Sequence, residues 1–113
     1  MAQPAAAQTV NPKRGDVYLV GLDKPRPAVI LSVDELNRHA FDVCVVPITS
    51  IQHANFSVRV PLKRGDGGLH QDYWAKCDQV TALEKGFLKK QIGRLSTNAM
   101  QKIETQVRVA LGL

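Results

Sequence analysis

Arg26 stands between two prolines in the segment Lys24-Pro25-Arg26-Pro27. Proline disfavours helical dihedrals in the residue before it, so Pro27 holds Arg26, and Pro25 holds Lys24, on extended backbone. A guanidinium on a fixed backbone presents a planar fork of donors, and the chemistry it suits is the binding of phosphate oxygens. A second segment, Val46-Pro47-Ile48-Thr49-Ser50, brings two hydroxyls to the end of another apolar run. Taken singly, the first is an ordinary turn with a solvated arginine. Thr49 taken singly is a strand terminator bonded to its own backbone. Together they place phosphate-compatible groups twice where a hydrophobic strand meets a loop, and loops on a rigid scaffold are where binding and catalytic groups sit. Lys76 and Asp78 add a cation and a carboxylate two residues apart.

The elements that must position these groups are mostly strands. Asp16 to Val20 is rich in β-formers. Pro27 to Ser32 is apolar on both faces and reads as a central strand. Residues 33–40 are polar with room for one helical turn, and Phe41 to Val46 is a third strand, stopped by Pro47. Phe56, Val58, Val60 and Leu62 alternate with Ser57, Arg59 and Pro61, and Pro61, which lacks an N–H, puts this strand at an edge. Tyr73 to Thr81 and Ile92 to Leu95 complete six strands. Beyond Ser96 the period changes: Met100, Ile103, Val107 and Ala110 or Leu111 recur at three and four residues, an amphipathic helix capped by Ser96 or Thr97. Six short strands and one helix predict a mainly β (α+β) fold, a small, partly closed barrel with the helix over one opening.

The 113 residues suffice for one domain with a modest core, and the 44% apolar content excludes global disorder. Residues 1–12 read as a flexible tail and 13–113 as the domain. Fifteen basic against ten acidic residues, a net charge of +5, favour a polyanionic partner over an acidic one. Cys44 and Cys77 form no CxxC pair, and His39, His53 and His70 are not at ligand spacing, so no metal site is expected. Both cysteines read as buried and reduced, which fits a cytoplasmic protein. No apolar run approaches a membrane span, and residues 1–11 lack the basic, hydrophobic character of an export signal.

The segments RGDVYLV, RPAVIL, VVPITS, CDQ and IGRLS occur here in the order seen in MazF/PemK/Kid-type toxins, and from residue 13 to 113 the chain resembles that family. The resemblance implies an SH3-like barrel of antiparallel strands with a C-terminal α-helix, a homodimer, and cofactor-free cleavage of single-stranded RNA. It also implies a cognate MazE-like antitoxin whose acidic or apolar tail covers the RNA groove. Arg26 matches the arginine of the family's RP motif, catalytic in several members. Thr49 and Ser50 match its threonine–serine pair, and Asp78 matches the acidic residue that some members use as a base. Lys76 stands where those members carry arginine, which keeps the charge and loses the bidentate geometry. Asp16 and Phe56 match positions where some relatives contact RNA. The long loop before the RP motif of many members is reduced here to residues 21–25, leaving Lys24 beside the site.

Metal-free RNA cleavage needs a base for the ribose 2′-hydroxyl, cations for the crowded phosphate and an acid for the departing 5′ oxygen. The resemblance therefore implies catalytic roles for Arg26, Thr49, Asp78 and Lys76, and RNA contacts for Ser50, Asp16, Phe56 and Lys24. An aspartate in water, with a pKa of about 3.9, is a poor base at neutral pH, so a carboxylate that holds Lys76 or Arg26 in place is an equal reading of Asp78. Of Tyr73 and Trp74, adjacent on a strand, one must face in and the other out, where it can stack on a base. Lys85, Lys89, Lys90 and Arg94 form a basic stretch that is either a solvated face or a path for RNA backbone. Two other functions compete: an RNA- or antitoxin-binding module without catalysis, and a gyrase poison of the CcdB type. The chain's Leu-Gly-Leu end lacks the tryptophan of that type's tail, which disfavours the gyrase poison.

Overall fold

The β-branched and aromatic runs fold as seven antiparallel strands, seen in a computed structural model that describes residues 11–21, 23–51 and 58–113. The strands are β1 (Asp16–Val20), β2 (Arg26–Ile30), β3 (Asp42–Thr49), β4 (Arg59–Leu62), β5 (Tyr73–Lys76), β6 (Thr81–Glu84) and β7 (Leu88–Arg94). A short helix α1 (Asp34–His39) follows β2, and α2 (Thr97–Leu111) closes the chain. The sheet order is β4-β5-β3-β2-β1-β7, with β6 also paired to β3. Of the expected tail, only Asn11 and Pro12 are described, and Pro12 is fully buried. No helix among the described residues is long and apolar enough to cross a membrane.

Strand β3 organises the fold. It does not stop at Pro47, as expected from sequence, but runs on to Thr49. One side of β3 pairs with β2, at Val45 to Pro47; the other changes partner along its length. Asp42 to Val45 face β6, whereas Ile48 and Thr49 face β5. The missing proline N–H thus falls where one ladder ends and the next begins, so it leaves no gap in either. The same change of partner splits the single strand expected from Tyr73 to Thr81 into β5 and β6. A turn joins them, closed by the Gln79 N–H donating to the Lys76 carbonyl at 2.9 Å. At the sheet's end, β4 carries Pro61, the edge position its proline requires.

Alternation gives the sheet two different faces. Val17, Val29, Val46, Ile48, Val60, Leu62, Tyr73 and Ala75 point to one side and pack with Met100, Ile103 and Val107 of α2 in the main core. The helix is capped by Ser96, whose Oγ accepts from the Ala99 N–H at 3.1 Å, and ends at Gly112 with φ 73°. The other face has a smaller cluster of Tyr18, Ala28, Ile30, Val43, Val45 and Leu88. This second cluster fills only part of its face.

The turn Asp66–Gly68 lies against β7 without any side chain between the two backbones. A Cβ on Gly68 would sit 1.9 Å from the Ile92 carbonyl oxygen, and one on Gly93 would sit 2.4 Å from the Gly67 carbonyl. Gly68 also has φ +81°, a region that only glycine enters cheaply. Of the two cysteines, Cys77 is fully buried; Cys44 is only partly so, at the end of β3 that bonds the Leu31–Ser32 loop. Both thiols are free.

Candidate nucleic-acid interface

Where the second cluster ends, its face of the sheet opens into a groove of about 850 Å³. The register shows how the strands build it. Ala28 pairs with Pro47, and continuing that register by two residues puts Arg26 opposite Thr49. Thr49 pairs with Trp74 of β5, and Lys76 pairs with Arg59 of β4. Along this one face β2 therefore runs Ile30, Ala28, Arg26, and β3 runs Val43, Val45, Pro47, Thr49. Each passes from core to phosphate-compatible chemistry with no change of face.

Four cations, Lys24, Arg26, Arg59 and Lys76, line the groove against one carboxylate, Asp23. Val20, Ile48, Leu83 and Phe87 supply apolar wall between them. Concentrated positive charge beside apolar and aromatic surface suits a chain that is anionic along its backbone and flat and apolar at its bases. Thr49 is both a strand terminator and a potential donor. Its Oγ1 accepts from the Ile51 N–H at 3.1 Å, which leaves the hydroxyl proton to point at a ligand. Among the described residues no group of three or more His, Cys, Asp or Glu could hold a metal ion.

The structure thus brings together four of the residues singled out from sequence: Lys24, Arg26, Thr49 and Lys76. Ser50 is exposed just past β3 and is not part of the lining. Asp78 is exposed in the β5–β6 turn, and it is the next residue, Gln79, that lines the groove. The charge of Asp78 reaches the neighbouring thiol: burial first, then Asp78, pushes Cys77 up to about 11. Phe56 lies outside the described residues. Trp74 is the outward member of its pair with Tyr73, which is buried against the core. Arg59, Gln79 and Asp23 were missed. Only Arg59 carried a signal, its place on the polar side of an alternating strand.

Asp16 is 2% exposed and remote from the groove lining. Its Oδ2 accepts from the Lys13 N–H at 2.9 Å, and its Oδ1 lies 2.8 Å from Nη2 of Arg94. The bond from Lys13 closes the turn before β1, and the ion pair with Arg94 ties the start of β1 to the end of β7. Asp16→Asn is expected to cost about 2 kcal/mol, since Arg94 is half exposed and relaxes into water. Melting should fall by roughly 10 °C while RNA affinity, measured well below the transition, stays unchanged. A weaker complex with unchanged melting would place Asp16 in contact with RNA instead.

A small antiparallel barrel, one helix sealing its main core and one cationic groove left open on the opposite face of the sheet, defines the class. Residues 13–111 match the family described as PemK-like, MazF-like toxin of type II toxin-antitoxin system. The chain belongs to that family. It is 30% identical over 110 residues to Endoribonuclease MazF of Staphylococcus saprophyticus, covering 89% of this chain and 92% of the relative. A solved endoribonuclease from Mycobacterial species superposes with a TM-score of 0.80 at 32% identity, covering 92% of this chain and 94% of that one. An endoribonuclease in complex with its cognate antitoxin from Mycobacterial species gives 0.77 at 32% identity, covering 91% and 95%.

Proposed function

We propose that the chain is the toxin of a type II toxin–antitoxin pair, a sequence-selective endoribonuclease that cleaves single-stranded RNA without a metal. The observation that carries this reading is the placement of Arg26, Thr49 and Lys76 on one face of one groove, with Arg26 across from Thr49. In the reaction the ribose 2′-oxygen attacks the adjacent phosphorus and its bond to the 5′ oxygen breaks, leaving a 2′,3′-cyclic phosphate and a 5′-hydroxyl. Arg26 binds the two non-bridging oxygens as their charge grows, Thr49 donates to the same phosphate, and Lys76 protonates or neutralises the departing 5′ oxygen. Lys24 and Ser50 contact the strand at the groove's rim.

The proton acceptor is assigned to a carboxylate, Asp78 in the β5–β6 turn. Asp23, which lines the groove, is the alternative that a paired comparison of Asp78→Asn and Asp23→Asn separates. The variant of the true base should lose cleavage while keeping its affinity for RNA, whereas the other should keep both. The protein works as a cytoplasmic homodimer, held inactive by a MazE-like antitoxin that lays an acidic or apolar segment in the groove.

The direct test is a long single-stranded RNA incubated with the protein in excess EDTA. Discrete fragments with 2′,3′-cyclic phosphate and 5′-hydroxyl ends are the expected result. RNA bound but left intact would make the chain a binding module without catalysis. RNA neither bound nor cut would remove nucleic acid from the groove.

A further inference from the structure

We propose that Trp74 is a stacking platform at the rim of the groove, taking the base next to the phosphate that Arg26 and Thr49 hold. The inference rests on the RNA reading above and adds to it a residue that fixes the strand's position. It starts from β5, where alternation sends Tyr73 and Ala75 into the main core and turns Trp74 and Lys76 to the other face. The direct partner of Trp74 on β3 is Thr49, and its partner on β4 is Pro61. With the β2–β3 register continued to Arg26, one row across the sheet reads Arg26, Thr49, Trp74, Pro61. It passes from cation to hydroxyl to indole to an exposed proline.

The fold makes little use of this indole. Among the described residues it belongs to neither hydrophobic cluster, and its N–H meets no acceptor. It is only partly buried. Trp74 is not itself part of the groove lining but stands one strand spacing, about 5 Å, beyond Thr49, which is. A base projects sideways from the backbone that carries it, so a strand held at Arg26 and Thr49 can lay one base over β5. Lys76, two residues along the same face of β5, lines the groove and meets the backbone of the same stretch. Stacking on an aromatic face accepts every base and is stronger for those with the wider ring system. Trp74 thus fixes which nucleotide lies beside the reacting phosphate and favours a purine there.

Trp74 is the chain's single tryptophan, so fluorescence excited beyond the tyrosine band reports on this residue alone. The test uses a labelled single-stranded oligoribonucleotide carrying 2′-O-methyl groups throughout, which has no attacking hydroxyl. Saturation, followed by the anisotropy of the label, should quench the tryptophan emission. Trp74→Ala should weaken binding about tenfold and leave the slope of log affinity against log salt unchanged, because no cation is lost. Trp74→Phe, which keeps a ring, should retain most of the affinity. Oligonucleotides that each lack one base then locate the contact. In the parent, the abasic site beside the bond cut in unmethylated RNA should weaken binding about tenfold. In Trp74→Ala the same abasic site should cost nothing further, a coupling that mere support of β5 would not produce. Unchanged emission at saturation, or no coupling at any position, would overturn the inference and leave the groove reading standing. Failure of the parent protein to bind the oligonucleotide would overturn both.

Discussion

Arg26→Ala is expected to lower kcat for RNA cleavage by about 10²–10³-fold, the loss seen when one preorganised donor to a developing oxyanion is removed. The side chain is exposed, its partner on β1 is Val20, and continuing the β2–β3 register sets it opposite Thr49. Removing it therefore takes nothing from either hydrophobic cluster, and the melting temperature should stay within a few degrees. Arg26→Lys should recover little, because a point charge does not reproduce the two parallel bonds of a guanidinium on a phosphate. Thr49→Ala should cost less in rate but something in stability, since the Ile51 N–H loses its acceptor. Rate assays on folded variants, with binding measured separately, check each statement. A fully active Arg26→Ala would remove this residue from the mechanism and transfer its role to the other groove cations.

The largest effect on stability is expected far from the groove. In Gly68→Ala the new methyl would overlap the Ile92 carbonyl, on backbone that already has φ +81°. Neither obstacle is a flexible side-chain end, so relief requires the Asp66–Gly68 turn to separate from β7. Strain at such a φ costs about 1–3 kcal/mol, and overpacking costs a further 1–3 kcal/mol. A total near 4 kcal/mol is a large share of the about 5–15 kcal/mol that stabilises a domain. Gly68→Ala should therefore melt well below the parent, whereas Gly86→Ala, where a Cβ meets nothing within 4 Å, should melt close to it. Denaturant titration of the two variants decides the matter. A native-like midpoint for Gly68→Ala would mean that the turn and β7 are not in register-fixing contact in solution.

Much of the site was legible in the chain because proline and strand alternation act locally. Pro25 and Pro27 announced an extended Arg26, and the apolar run ending in Thr49 and Ser50 announced a strand emerging at a loop. The helix was legible for a similar reason: three core positions at helical spacing and a serine cap define it without reference to any other segment. Errors came where a neighbour decided. Pro47 looked like a stop, yet it is tolerated where β3 exchanges β6 for β5. Tyr73 to Thr81 looked continuous, yet a turn divides it and the two strands on either side pair with separate stretches of β3. Asp16 was singled out because it matches a position where some relatives contact RNA; what its own strand could not show is that it is buried and that Arg94 of β7 lies against it.

Local preferences along the chain were enough for the kind of chemistry on offer: cations and hydroxyls suited to phosphate, the strands that carry them, and an amphipathic helix to seal one core. These follow from local dihedral preferences and from the spacing of apolar residues. Which of those groups share a groove was settled by the pairing of distant strands. It set Arg59 beside Lys76, admitted Gln79 and left Asp78 in the turn. The physical reason is that partnership between strands distant in sequence is fixed by pairing register. A shift of one residue in that register turns every side chain to the opposite face.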